Sequence, residues 1–158
     1  MRKSGIAAAL AAAGLVAAGI AAPAGAAPSN KGTTTVAPSA TTLMVLKGVL
    51  NPGSLGDDGA VFGIVGKPSS GVIKHVGGLA VDGSAGILND SYLELRNFWI
   101  DTENSVVSGD VENFGRADLF DVDLSTGVLT FTDTASLAIV GSDAIEGAVA
   151  GTAMVDVK

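Results

Sequence analysis

The sequence has few of the residues on which most catalytic and metal-binding chemistry depends. It contains no cysteine and one histidine among 158 residues, and aromatic residues make up 4% of the chain. The lack of cysteine excludes disulfide scaffolds, thiolate metal sites, cysteine nucleophiles and lipid anchoring through cysteine. The few aromatic residues are not interleaved with basic ones, so they do not form a stacking surface for nucleic acid.

Basic residues are also scarce. Lys and Arg number 9 against 16 Asp and Glu, so the formal net charge is −7 at pH 7. Nucleic acids and anionic membrane surfaces are themselves negatively charged, and an acidic chain binds them poorly. We therefore expect no nucleic-acid partner.

The start of the chain has the pattern of a signal peptide. Two positive charges precede an uncharged, alanine-rich stretch that ends in small residues. We predict that residues 1–26 are removed by cleavage after Ala26. A cut after Ala27 is less favoured because it would leave Pro28 first. A transmembrane anchor is the alternative, since about 18 apolar residues can just span a bilayer. We expect a secreted protein, periplasmic or extracellular, with no membrane anchor once the signal is removed.

The rest of the chain has the length of one ordinary domain. Residues 27–42 are rich in Ser, Thr and Pro and predict a flexible lead-in that orders only at its end. Residues 43–158 are predicted to form a single β-sandwich domain.

Short apolar runs, separated by Gly, Asn, Asp, Ser and Pro, indicate strands and turns in that domain. The predicted fold class is all-β: an antiparallel β-sandwich or a flattened barrel, with one short helix near the C-terminus. The helix is expected at Asp133–Gly141, where a capping Asp and a terminal Gly flank apolar residues. The strands are expected at Leu43–Leu50, Ala60–Val65, Val72–Val76, Leu79–Val81, Tyr92–Asp101, Ser105–Val111, Ala117–Leu124, Val128–Thr132 and Ala148–Val157.

The strand Tyr92–Asp101 has the clearest alternation. A period of two places Leu93, Leu95 and Trp99 on one face. This pattern predicts that Trp99 belongs to the core, and that Phe98 faces the other layer or a surface patch.

His75 and Tyr92 are the candidate ligand-binding residues. His75 precedes the pair Gly77-Gly78, and its imidazole could bind a metal or haem or act as a general base. The alternative is a strand histidine that faces solvent. Tyr92, the one tyrosine, could ligate ferric haem. Alternatively its ring packs and its hydroxyl points to water.

Patterns for catalysis and metal binding are lacking. The nucleophile motif G-x-S-x-G does not occur. Asp121 and Asp123 begin a spacing typical of calcium loops, but Thr132 occupies the twelfth position, where a bidentate carboxylate is needed. We predict no catalytic residue and no metal site, and so a protein that is not an enzyme.

Several segments resemble the HtaA-like haem-binding domain of exported bacterial β proteins, and also a broad set of secreted bacterial proteins with no assigned activity. The likeness comprises an H-x-G-G-L strand, an asparagine-bearing strand, a hairpin and a G-T-A strand, at Phe62–Gly66, Gly71–Val81, Leu95–Asp101, Gly115–Phe120, Leu129–Thr132 and Ala150–Ala153. The resemblance implies that His75 matches the family's haem-pocket histidine. The family's upstream tyrosine has no counterpart between Ala27 and Lys74.

These observations lead to one main hypothesis and two alternatives. The main hypothesis is an exported, acidic, non-catalytic binding or surface-associated module without a cofactor, whose partner is an unknown protein or small ligand. The first alternative is a carrier of haem or of another hydrophobic ligand that uses His75. The second is a carbohydrate-active hydrolase with an Asp or Glu pair.

Overall fold

Eleven strands and two short helices make up the part of the chain that the computed structural model describes, residues 31–50, 54–57, 59–69 and 71–158. The expected signal peptide lies outside these residues. In chain order the elements are β1 Gly32–Pro38, α1 Ala40–Val45, β2 Leu46–Leu50, β3 Ser54–Gly56, β4 Gly59–Ser69, β5 Val72–His75, β6 Gly78–Gly83, β7 Asp90–Asp101, β8 Val106–Val111, β9 Gly115–Val122, β10 Val128–Phe131, α2 Asp133–Val140 and β11 Val149–Val157.

Eight of the strands close into an antiparallel barrel. Their order is β7-β5-β4-β1-β11-β10-β9-β8, and β8 pairs again with β7. β7 is long enough to pair with β6 along its first half and with β5 along its second half. β2 extends the sheet beyond β6, and β3 pairs with β4. The predicted all-β, antiparallel fold is confirmed, and its sheet closes on itself.

The predicted short helix near the C-terminus is present as α2, and its ends follow local sequence signals. The expected capping residue, Asp133, lies in the first turn instead. The cap is Thr132, whose side-chain oxygen accepts a hydrogen bond from the backbone N–H of Ala135. Gly141 ends the helix with a φ of 72°, a left-handed conformation that glycine adopts without a steric penalty.

Three elements were not predicted from the sequence. β1 lies within the expected flexible lead-in, residues 27–42, yet it pairs with both β4 and β11 inside the barrel wall. The expected strand Leu43–Leu50 begins as the helix α1, which is capped by the side chain of Ser39. β3 is the third element. The lead-in expectation is thus wrong for residues 32–42, because β1 is held by pairing on both edges and not by a hydrophobic pattern of its own.

The predicted alternation of β7 is wrong beyond Asn97. This residue has a φ of 52°, and the pairing with β8 shifts register between Arg96 and Trp99. One extra residue in a strand reverses the side on which the following side chains point. Phe98 is therefore in the core at 7% exposure, and Trp99 is only half-buried on the outer side.

Four phenylalanine rings cross the barrel interior as a connected series. Their centroids are 5.6 Å apart for Phe62 and Phe98, 6.4 Å for Phe98 and Phe120, and 5.5 Å for Phe120 and Phe131. Tilted and edge-on ring pairs at these distances are favourable beyond the area that they bury. Among the described residues, no helix has the length and apolar composition needed to cross a membrane.

Candidate functional site

A cavity lies inside the barrel, next to the phenylalanine rings. The space inside it that the centres of water-sized molecules can occupy is about 60 Å³. The lining consists of aliphatic side chains, four Phe and one Pro, with three polar exceptions, Thr34, Thr42 and His75. An eight-stranded barrel is just wide enough to be filled by side chains or to hold one small ligand.

The mouth of the cavity lies beside α1. Five lining residues are only partly buried: Val36, Pro38, Val45, Leu79 and Ala153. They belong to β1, α1, β6 and β11, and α1 packs against the other three of these elements. The short helix α1 thus borders the most open part of the cavity.

One backbone carbonyl holds α1 against the barrel. The hydroxyl of Thr42 donates a 2.6 Å hydrogen bond to the carbonyl oxygen of Ala150, and the N–H of Ser39 donates a 3.0 Å bond to the same oxygen. Thr42 is buried, so its hydroxyl needs this acceptor.

His75 is buried at 3% exposure, so the solvent-facing alternative is wrong. Its Nδ1 lies 3.0 Å from the carbonyl oxygen of Phe98, and its Nε2 lies 2.7 Å from Oγ1 of Thr34. A carbonyl oxygen can only accept, so Nδ1 carries the proton. In the neutral ring Nε2 then accepts from the Thr34 hydroxyl. His75 thereby links β5 to both β7 and β1.

The surroundings of His75 keep the imidazole neutral. Burial lowers its pKa from the usual 6.5, and the hydrogen bond to Phe98 opposes this effect only in part. Burial disfavours the charged ring because the apolar interior cannot solvate it.

The pair formed by Thr34 and His75 has the spacing of a hydroxyl nucleophile and its base, but in the described residues no carboxylate is bonded to the other ring nitrogen. The group that orients His75 is a backbone carbonyl, whereas a catalytic triad uses a carboxylate that stabilises the imidazolium. The lowered pKa also makes His75 a weak base. This arrangement is suited to holding strands together.

Tyr92 lies apart from His75. It is not among the residues that line the cavity. Its hydroxyl oxygen is buried and has no hydrogen-bond partner among the described residues, so the expectation that it points to water is wrong. Burial raises the pKa of Tyr92, and the negative charge of Glu94 adds to this. The two predicted ligand-binding residues are therefore not brought together.

The outer side of β7 carries a polar network at the bulge. Both terminal nitrogens of Arg116 donate to the carbonyl oxygen of Asn97, at 3.2 and 2.7 Å, and Arg116 also pairs with Asp110. The amide of Asn97 donates to Asp110 at 2.9 Å. Arg116 and Lys74 lie 3.8 and 4.1 Å from the centroid of the Trp99 ring. These contacts hold the ring against the barrel wall.

The acidic residues do not gather into a metal site in the described part of the chain. No group of three or more possible metal ligands occurs there. Asp123, from the calcium-like spacing, accepts bonds from Ser125 in a turn, and these bonds lower its pKa. In the same way, hydrogen bonds from Ser84 and, to a smaller extent, from Lys47 lower the pKa of Asp82 to about 2. These carboxylates stabilise turns.

No protein family, curated protein or solved structure matches this chain. The resemblance to the HtaA-like domain therefore stays a prediction. Sequence reasoning identified His75 but missed Thr34 and Thr42, which complete the polar part of the cavity lining. The run Thr33-Thr34-Thr35 was a usable signal, because Thr favours strands and can turn its hydroxyl inward at alternate positions.

Proposed function

We propose that this protein is a non-catalytic binding protein that holds a small hydrophobic ligand inside its barrel. The observation that carries the proposal is the cavity, whose lining is apolar except for three side chains that already have hydrogen-bond partners. Apolar pockets with few polar groups are the usual form of small-molecule sites.

Burial of the ligand supplies the driving force. Each Å² of apolar surface removed from water contributes about 25 cal/mol, so a ligand that buries on the order of 200 Å² gains roughly 5 kcal/mol before the cost of association. Export and an acidic surface, both predicted from the sequence, suit a protein that carries such a ligand through an aqueous compartment.

Haem is the second candidate, because His75 lines the cavity. Iron ligation would require Nε2 of His75 to leave the Thr34 hydroxyl, and Tyr92 does not line the cavity to provide a second ligand. We expect no saturable change in the Soret band when haemin is added to residues 27–158. A one-to-one change that is lost in His75→Ala would favour haem instead.

Methyl NMR tests the proposed function directly. Cyclopentane added to residues 27–158 should shift the methyl signals of Val107, Leu129 and Ile139, which line the cavity, in a saturable manner. Ala153→Leu should weaken binding, since it fills space at the mouth. Met154→Leu, at the neighbouring exposed position, is the matched control and should leave binding unchanged. Absence of saturable shifts would contradict the proposal.

A further inference from the structure

The polar side chains of the cavity lining differ from those of most ligand sites in having no free donor. The hydroxyl of Thr34 donates to His75, the Nδ1 proton of His75 goes to the Phe98 carbonyl, and the hydroxyl of Thr42 goes to the Ala150 carbonyl. A carbonyl or carboxylate that enters this cavity would leave its water partners and find no side-chain donor in the lining.

The strongest acceptor in the lining is occupied as well. Nε2 of His75 has one lone pair in the ring plane, and the Thr34 hydroxyl lies 2.7 Å from it. A ligand hydroxyl could reach this nitrogen only if Thr34 gave up its own bond. Thr34 is itself buried at 3% exposure, so its hydroxyl has little access to bulk water.

We infer that the part of the ligand inside the barrel is a hydrocarbon group without hydroxyl, carbonyl or carboxylate, and that Thr34 sets this specificity by occupying Nε2 of His75. The inference rests on the proposed function and narrows it to a ligand class. It also makes Thr34 a specificity-determining residue and leaves His75 without a bond to the ligand.

Three ligands of similar size test the inference in the unmodified chain. Cyclopentane should bind more tightly than cyclopentanone and cyclopentanol, by a factor on the order of ten or more, because each polar group loses its water partners without replacement. If the polar compounds bind as tightly as cyclopentane, the inference is wrong. If none of the three binds, the proposed function itself fails, so the two failures are distinguishable.

Thr34→Val tests the role assigned to Thr34. This change keeps the shape of the side chain and removes the hydroxyl, which leaves Nε2 of His75 as an unpaired acceptor. The preference for cyclopentane over cyclopentanol should fall by a factor on the order of ten, since the ligand hydroxyl now has a partner. Thr35→Val, at the next position along β1, makes the same change on the other face and should keep the original preference.

Two further measurements keep the test decisive. The nitrogen chemical shifts of His75 should show a protonated Nδ1 and an unprotonated Nε2, and the opposite tautomer would overturn the inference even if Thr34→Val does not fold. A comparison of hexane with hexanoate identifies the source of the hydrocarbon. Hexanoate binds if the group is the tail of an amphiphile whose carboxylate stays at the mouth, and only hexane binds if it is a free hydrocarbon.

Discussion

The inner and outer sides of β7 hold the same bulge by different chemistry. Asn97 and Phe98 have no pairing partners on β8, so their carbonyl groups depend on side chains. On the inner side, the neutral ring of His75 donates to the Phe98 carbonyl. On the outer side, the charged guanidinium of Arg116 donates to the Asn97 carbonyl.

This difference follows the access of water to each side. A charged donor beside Phe98 would have to be removed from water at a large cost, whereas a neutral imidazole can be buried if both nitrogens have partners. Arg116 stays partly solvated and is paired with Asp110, so its charge costs little. The exposure of each carbonyl therefore decides which type of residue can satisfy it, and each side should respond differently to substitution.

The largest expected effect separates Phe98 from Trp99. Phe98→Ala removes a buried ring that contacts two others and should lower the free energy of unfolding by about 3–5 kcal/mol. Trp99→Ala removes a ring held by two cations outside the core and should cost about 1 kcal/mol. Urea unfolding of both variants measures the difference. Equal losses would contradict the assignment of the two rings to opposite sides.

The loss of the inner donor should have the next largest effect. His75→Leu leaves the Phe98 carbonyl and the Thr34 hydroxyl without their partner, and unfolding should become easier by about 2–3 kcal/mol. Denaturant unfolding at pH 7.5 checks this value. Lys67→Leu, a change at an exposed position of β4, is the control. A loss in His75→Leu no greater than in the control would show that the inner bonds contribute nothing.

The stability that His75 gives to the inner side of β7 should also depend on pH. The pKa of His75 is lowered in the folded state, so below about pH 6.5 the unfolded chain binds a proton that the folded chain does not. The contribution of His75 to the free energy of unfolding is complete above pH 6.5. It is lost as the pH falls toward the folded-state pKa, and the free energy of unfolding then changes by at most about 1.4 kcal/mol per pH unit.

Unfolding at pH 7.5 and pH 5 measures this loss. The carboxyl groups of Asp82, Asp101 and Asp123 have lowered pKa values, so their contributions persist above about pH 4 and do not change in this window. The decrease should disappear in His75→Leu. An identical decrease in that variant would assign the effect to other groups.

The smallest expected effect is on the outer side. Arg116→Met should lower the free energy of unfolding by less than 1 kcal/mol, and the difference from the unmodified chain should shrink as salt is added, because exposed charges are screened. The effect of His75→Leu should not depend on salt. A salt-independent loss for Arg116→Met would mean that its charge is not what stabilises the bulge.

Local signals in the sequence predicted much of the fold. Nine strand positions were expected and nine observed strands overlap them, because alternating apolar residues and turn residues act over a few positions. β1 was missed because its two buried positions, Gly32 and Thr34, carry no hydrophobic pattern. α1 was missed because its apolar residues run on into β2 without a break.

The candidate site was harder to predict, because its members are far apart in the chain. His75 drew attention as the one histidine, yet neither its burial nor its partners follow from its neighbours in sequence. Thr34 is 41 residues away from His75, and Thr42 is 108 residues away from Ala150. Only the closure of the barrel brings these pairs within hydrogen-bond distance.

The sequence by itself determined the positions of nine strands, the antiparallel all-β class and the C-terminal end of α2, since each depends on interactions between close neighbours. Tertiary structure alone decided the closure of the sheet, the cavity inside it and the reversal of β7 at Asn97. The reversal is stable because Arg116 and His75, from two other strands, donate to the Asn97 and Phe98 carbonyl groups that the bulge removes from the ladder. Asp110, from a third strand, accepts a hydrogen bond from the side-chain amide of Asn97. Such contacts exist only after the strands have assembled, so no local pattern can encode them.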